Sequence, residues 1–114
     1  MPHIIVEYSD NLGPDLEIPA LLHDLHNKLG DHPDVSKAAI KSRAICIENA
    51  VVGEDEDANE MIHIMLKLLP RPESVREKMA EELQEIALAH TQKHSPNCTV
   101  TVETVELDAH TYCK

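Results

Sequence analysis

Proline stands second in the chain, behind a methionine of the kind that aminopeptidases remove when a small residue follows. Processing of that sort would leave Pro2 with a free secondary amine, a base or nucleophile that no side chain supplies. Lysine and arginine side chains have the chemistry to work with such a base, and three of them stand in or beside strand-like runs. Lys41 and Arg43 lie two residues apart in the segment IKSR, and Arg71 follows the run IHIMLKLLP. A neutral amine can take a proton from carbon or oxygen and return it elsewhere. Fixed cations can hold carboxylates and stabilise the negative charge that develops in transit. An ordinary α-amino group titrates near roughly 7.7–8.0 and a secondary amine higher, so the site has to push that value down. Burial beside Ile4 and Ile5 would do so, as would any Lys or Arg that the fold brings close.

Each of these residues also has a plainer reading. Proline is tolerated at the edge of a strand. Lys41 and Arg43 fall on one face of a strand, which could be a solvated or subunit-facing side, and Arg71 could be a loop cation near a helix start. His23 with His26, and His90 with His94, have helical spacing that can suit a metal. Neither an HExxH pattern nor a cysteine pair accompanies them, so they read as surface or half-buried histidines and no metal is expected. His3 and His63 lie on strands and read as packing or hydrogen-bonding residues, with His3 placed to tune the adjoining proline. Cys113 reads as a spare thiol.

Two similar halves would position these groups. HIIVEY at 3–8 is a short β-branched strand that runs into the turn-like SDNLGPD at 9–15. Ile18, Leu21, Leu22, Leu25 and Leu29 then recur at helical steps. Pro19 suits the first turn and Gly30 the position just past the end, which gives a helix over about 16–29. A second strand spans about 38–48. The acidic segment GEDEDANE at 53–60 reads as a solvated connection. The order then repeats with a strand at 61–69, a helix at about 73–93 and a strand at 97–107. Ser74 with Glu77 suggests a capping box, and Val75, Met79, Leu83, Ile86 and His90 suggest the buried face of the second helix.

Each β-α-β unit favours a parallel strand pair with a right-handed crossover. Joined, the two make an α+β fold: a four-stranded mixed sheet with both helices on one face. The whole chain, 1–114, is expected to form a single domain, with repeats at about 2–49 and 60–107 and a tail at 108–114 that could lie across a neighbouring subunit. A sheet covered on one side only leaves its other face to be buried, and a second copy of so small a chain is the natural cover.

Composition narrows the partners. A net charge of -11 argues against nucleic acid and anionic membranes, which select clustered Lys and Arg. With no Phe or Trp and two Tyr, there is no aromatic platform for stacking bases. Three cysteines without CxxC spacing suggest reduced thiols. No apolar run approaches the ~20 residues of a membrane span, and the first residues lack the basic start and apolar stretch of a signal peptide, so a cytoplasmic protein is expected.

The opening MPHIIVEYSDN, the IKSR segment, and IHIMLKL leading through Arg71 to a Ser/Glu/Arg helix start together resemble the 5-carboxymethyl-2-hydroxymuconate Δ-isomerase family of the tautomerase superfamily. The resemblance implies a duplicated β-α-β fold, a homotrimer, no cofactor, and movement of a proton and a double bond in an anionic dienol di- or tricarboxylate from aromatic-acid breakdown. It also implies that Pro2 is the catalytic proline and that Arg71 holds or polarises the substrate. Lys41 stands where the family's other arginine is expected, in a segment usually read Ile-Arg-Ser-Arg, and Arg43 keeps the second arginine of that segment in a supporting, substrate-binding place. Lysine keeps the charge but loses the planar fork that grips a carboxylate with two bonds. A different substrate is one consequence. A non-catalytic trimer of the same fold, binding a small acid or a protein, is the competing expectation.

Overall fold

The computed structural model describes residues 1–12, 16–54 and 59–114. Part of the expected turn at 9–15 and part of the acidic connection at 53–60 therefore lie outside the described residues. Strand β1 (His3–Ser9) leads to helix α1 (Ile18–Gly30) and strand β2 (Lys41–Ile47). Strand β3 (Met61–Leu68), helix α2 (Glu73–Thr91) and strand β4 (Thr99–Glu106) repeat the order. The four strands form one sheet in the order β2-β1-β3-β4. Each half contributes a parallel pair, and β1 meets β3 antiparallel at the centre. The α+β architecture expected from the sequence is the one observed.

Alternation builds the strands. In β1, Ile4 and Val6 are wholly buried, and in β3 Ile62, Ile64, Leu66 and Leu68 all point into the same core. From the helices, Leu21, Leu25 and Leu29 of α1 and Met79, Leu83 and Ala87 of α2 close that core over one face of the sheet. Residues four apart share a helix face, which is why these two ridges are straight.

The second helix differs from expectation in two ways. Its buried ridge runs through Met79, Leu83, Ala87 and Thr91, while Val75 and Ile86 only flank it. His90 turns aside to meet Asp24 of α1 at 2.7 Å. Small residues at 87 and 91 let the helix sit close, and the buried Thr91 hydroxyl is satisfied by the Leu88 carbonyl at 3.2 Å. The capping box does not form. Pro72 occupies the N-cap in an extended conformation with no side-chain cap bond. Its carbonyl accepts from Val75 and Arg76, each at 3.1 Å. Ser74 is thus already inside the helix and cannot act as its cap. Two smaller shifts accompany these: Gly30 is the last residue of α1 rather than the one past it, and Lys37–Ala39 form a short 3-10 turn ahead of β2.

The face of the sheet away from the helices is set by register. His3 lies between Lys41 and Lys67, Ile5 between Arg43 and Met65, and Glu7 between Ile45 and His63. No helix covers these side chains, and Ile45 is 48% exposed. Strand directions also gather four chain segments at one end: the starts of β1 and β2 and the ends of β3 and β4. There the Lys41 N–H donates to the Pro2 carbonyl at 3.0 Å, and the Leu107 N–H to the Leu68 carbonyl at 2.8 Å. Among the described residues, no helix is long and apolar enough to cross a membrane.

Candidate active site

Pro2 is buried at this end of the sheet, immediately before β1. Met1 precedes it, and its terminal amine donates to the Ala39 carbonyl at 3.3 Å. The same carbonyl accepts from Lys41 Nζ at 3.4 Å, so two cations converge on one oxygen. Partial burial, followed by repulsion from Lys41, Lys114 and Arg71, holds the amine below the ordinary 8.0 of a chain terminus. Each cause makes the charged form harder to keep, by withholding water or by adding like charge.

Arg71 sits just beyond β3 and is held from several sides. Its Nε donates to Asp34 Oδ2 at 2.8 Å and its Nη2 to the Asp34 carbonyl at 3.3 Å. Its Nη1 reaches the Leu69 and Pro70 carbonyls at 3.1 and 3.2 Å. Arg76, one turn into α2, braces the Arg71 backbone through Nε at 3.1 Å and pairs with Glu106 of β4 at 3.6 Å. Arg43 points along the open face and donates from Nη1 to His3 Nδ1 at 3.1 Å. The other ring nitrogen of His3 meets the Tyr112 hydroxyl at 2.6 Å. His3 is shifted below its ordinary 6.5 by burial and then by Arg43, Lys41, the amino terminus and Lys67.

Of the residues singled out in the sequence, Pro2, Lys41 and Arg71 come to the same end of the sheet, and Arg43 reaches it through His3. Sequence reasoning missed Lys114, Tyr112, Lys67 and the bracing Arg76. Lys67 was readable in principle, since it shares the face of Met65 and His63 by alternation. Tyr112 and Lys114 carry no periodic signal and arrive only by the fold. The tail, expected across a neighbour, here seats Tyr112 against His3 of its own chain.

Lys41, Arg43, Lys67, Arg71 and Lys114 are five of the ten Lys and Arg residues of a chain with net charge -11. All five press on the amino terminus or on His3. Three grooves of about 310 to 380 Å³ lie along the helices, and none includes Pro2.

Three further histidines make side-chain hydrogen bonds. His26 bonds Ser42 at 2.7 Å, His32 bonds Glu82 at 3.1 Å, and His63 bonds Thr101 at 2.7 Å and Glu103 at 3.1 Å. Among the described residues, no group of three or more His, Cys, Asp or Glu could hold a metal ion.

Comparison with solved structures reproduces the whole architecture. A 5-carboxymethyl-2-hydroxymuconate isomerase from Deinococcus radiodurans R1 is 27% identical, with a TM-score of 0.87 over 99% of this chain and 87% of that one. A 5-carboxymethyl-2-hydroxymuconate delta-isomerase superposes with a TM-score of 0.79 at 18% identity, over 100% of this chain and 87% of that one. A fused 4-OT described as a symmetric trimer shares the fold, with a TM-score of 0.67 at 14% identity over 91% of this chain and 85% of that one. None of the curated proteins compared matches the chain. The family model for 5-carboxymethyl-2-hydroxymuconate isomerase matches residues 2–114. With the duplicated sheet and the cationic end around Pro2, this places the chain in the 5-carboxymethyl-2-hydroxymuconate isomerase family.

Proposed function

We propose that the protein is a cofactor-independent tautomerase acting on a 2-hydroxymuconate-type di- or tricarboxylate, with Pro2 as general base once Met1 is removed. The observation that carries this reading is the convergence of Lys41, Arg71 and Lys114 on the end of the chain that holds Pro2, where they act on the amine of Met1, the residue before it. In the reaction the neutral Pro2 nitrogen takes a proton from the substrate's enol hydroxyl or adjacent carbon. The electron pair moves along the conjugated chain, and the prolinium returns the proton at a distant carbon. General acid–base transfer of this kind contributes about 10²–10⁴-fold. Lys41 and Arg71 hold the carboxylates and stabilise the dienolate, and Arg43 supports the Lys41 side through His3. These cations give an anionic substrate a local attraction that the acidic chain as a whole lacks.

A homotrimer completes the reading. The uncovered sheet face calls for a second body, and a protein of this fold is described as a symmetric trimer. A second reading rests on two specific features. Lys41 lacks the arginine fork, and Arg71 spends most of its donors on Asp34 and on carbonyls, as a site that binds acids without turning them over could do.

The test is the intact mass of protein purified without an N-terminal tag, paired with an ultraviolet assay of 2-hydroxymuconate ketonisation. Loss of Met1 together with turnover that Pro2→Ala abolishes is the expected result. A retained Met1, or a processed chain without turnover, favours the binding protein.

A further inference from the structure

The hydrogen-bond chain Arg43–His3–Tyr112 has a fixed direction. A guanidinium can only donate. With Arg43 Nη1 at 3.1 Å, His3 Nδ1 must accept, and a neutral His3 then carries its hydrogen on Nε2. That hydrogen is the one between His3 and Tyr112 at 2.6 Å, so the Tyr112 oxygen is the acceptor. The phenol's own proton is left over. Among the described residues, no acceptor is recorded for it.

Tyr112 is also held in place. The Leu107 N–H extends the β3–β4 ladder to Leu68, and the Thr111 and Tyr112 N–H groups both turn back to the Asp108 carbonyl, at 3.1 and 2.9 Å. The Asp108 carboxylate fixes the His110 N–H at 2.8 Å. The phenol ring meets the His3 ring edge-on, 5.9 Å between centroids at 86°. His3 is the residue after Pro2, and Lys114, two residues beyond Tyr112, is close enough to act on the terminal amine. The tail therefore brings a half-buried hydroxyl with an uncommitted proton against His3, on the uncovered face at the end of the sheet where Pro2 precedes the chain's first strand.

We infer that Tyr112 is a substrate-contacting residue, whose hydroxyl, oriented by Arg43 through His3, donates to an oxygen of the unsaturated acid bound at Pro2. This rests on the proposed function, and the donor would strengthen as negative charge develops on that oxygen. His3 and Arg43 act through Tyr112 and are positioning residues for it.

The experiment combines kinetics with a binding readout. Only two tyrosines are present, so ring-labelled [13C]tyrosine gives two signals, and Tyr112→Phe assigns them. In 2-hydroxymuconate ketonisation, Tyr112→Phe should lower kcat/KM about 10- to 100-fold, the worth of a hydrogen bond to a charged group, chiefly in kcat. The Tyr112 signal of the parent should move when cis,cis-muconate is added. A chain truncated after Thr111 should behave like Tyr112→Phe. If Tyr112→Phe turns over within twofold of the parent while Pro2→Ala is inactive, the inference fails and the proline reading stands. If activity drops but the Tyr112 signal ignores muconate, the residue is structural and the inference also fails. Should the parent show no turnover, the proline reading fails and the signal decides: movement with muconate upholds Tyr112 as a binding donor, and no movement overturns it.

Discussion

Arg71 and Asp34 make a two-point contact across the two halves of the fold. Nε of the arginine lies 2.8 Å from the aspartate carboxylate, and Nη2 lies 3.3 Å from its backbone carbonyl. Asp34 belongs to the connection after α1 and Arg71 to the connection after β3, so the pair aims the guanidinium rather than holding a core together. The Asp34 side chain is 47% exposed, and exposed pairs contribute little to stability, about 0–1 kcal/mol. Asp34→Ala is therefore expected to leave thermal unfolding nearly unchanged while raising KM for a dicarboxylate. Arg71→Ala, which removes the cation itself, should lower kcat/KM by about 10- to 100-fold, as loss of a charged hydrogen-bond partner does. Steady-state kinetics beside a melting curve separate the two effects, and a large loss of stability in Asp34→Ala would contradict the assignment.

The terminal amine should govern the acid limb of the rate profile. It must be neutral to act as a base, so kcat/KM rises with pH through its pKa. Burial and the charges of Lys41, Lys114 and Arg71 hold the Met1 amine below the ordinary value, and a Pro2 amine exposed by removal of Met1 is expected to feel the same cations. Lys41→Met and Lys114→Met each remove one repelling charge, and each should shift the limb to higher pH. The sign for stability follows from the same inequality. With the folded value below the unfolded one, the unfolded chain binds this proton first, so the contribution to stability falls as pH drops through that window. A limb that stays in place in both variants would show that these lysines do not set the base.

The three thiols should separate by reactivity. Cys46 and Cys113 are exposed, whereas Cys98 is buried and its thiol is pushed up to about 11, by burial first and then by Glu60. Thiolate is the reactive form, so iodoacetamide near neutral pH should mark Cys46 and Cys113 long before Cys98, with all three marked on unfolding. Peptide masses over a time course check this. Early labelling of Cys98 would mean that the segment between α2 and β4 opens in the native state.

The fold was legible where one rule acts alone. Alternation in IHIMLKL and four-residue spacing in Leu21, Leu25 and Leu29 found a strand and a helix because burial repeats with the period of each backbone. The start of α2 at residue 73 was read correctly, but its cap was not: Pro72 ends the preceding extended segment two residues before Ser74 and takes the N-cap, and that proline outweighs a favourable side-chain pattern. Pro2, Lys41 and Arg71 could be named because they stand beside strands whose directions bring them together. Asp34 and Tyr112 could not. Their partners are 37 and 109 residues away, and no local pattern encodes a contact made by closure of the whole sheet.

The bond between His3 and Tyr112 also means that the two ends of the chain finish side by side. A short linker could join Lys114 to Met1, with new ends opened in the connection between β2 and β3, and every strand pairing would survive. Such a circular permutant would turn the amino terminus into a peptide nitrogen that can no longer accept a proton. Folding and the capacity for amine chemistry would then part company in a single molecule, without exchanging one side chain.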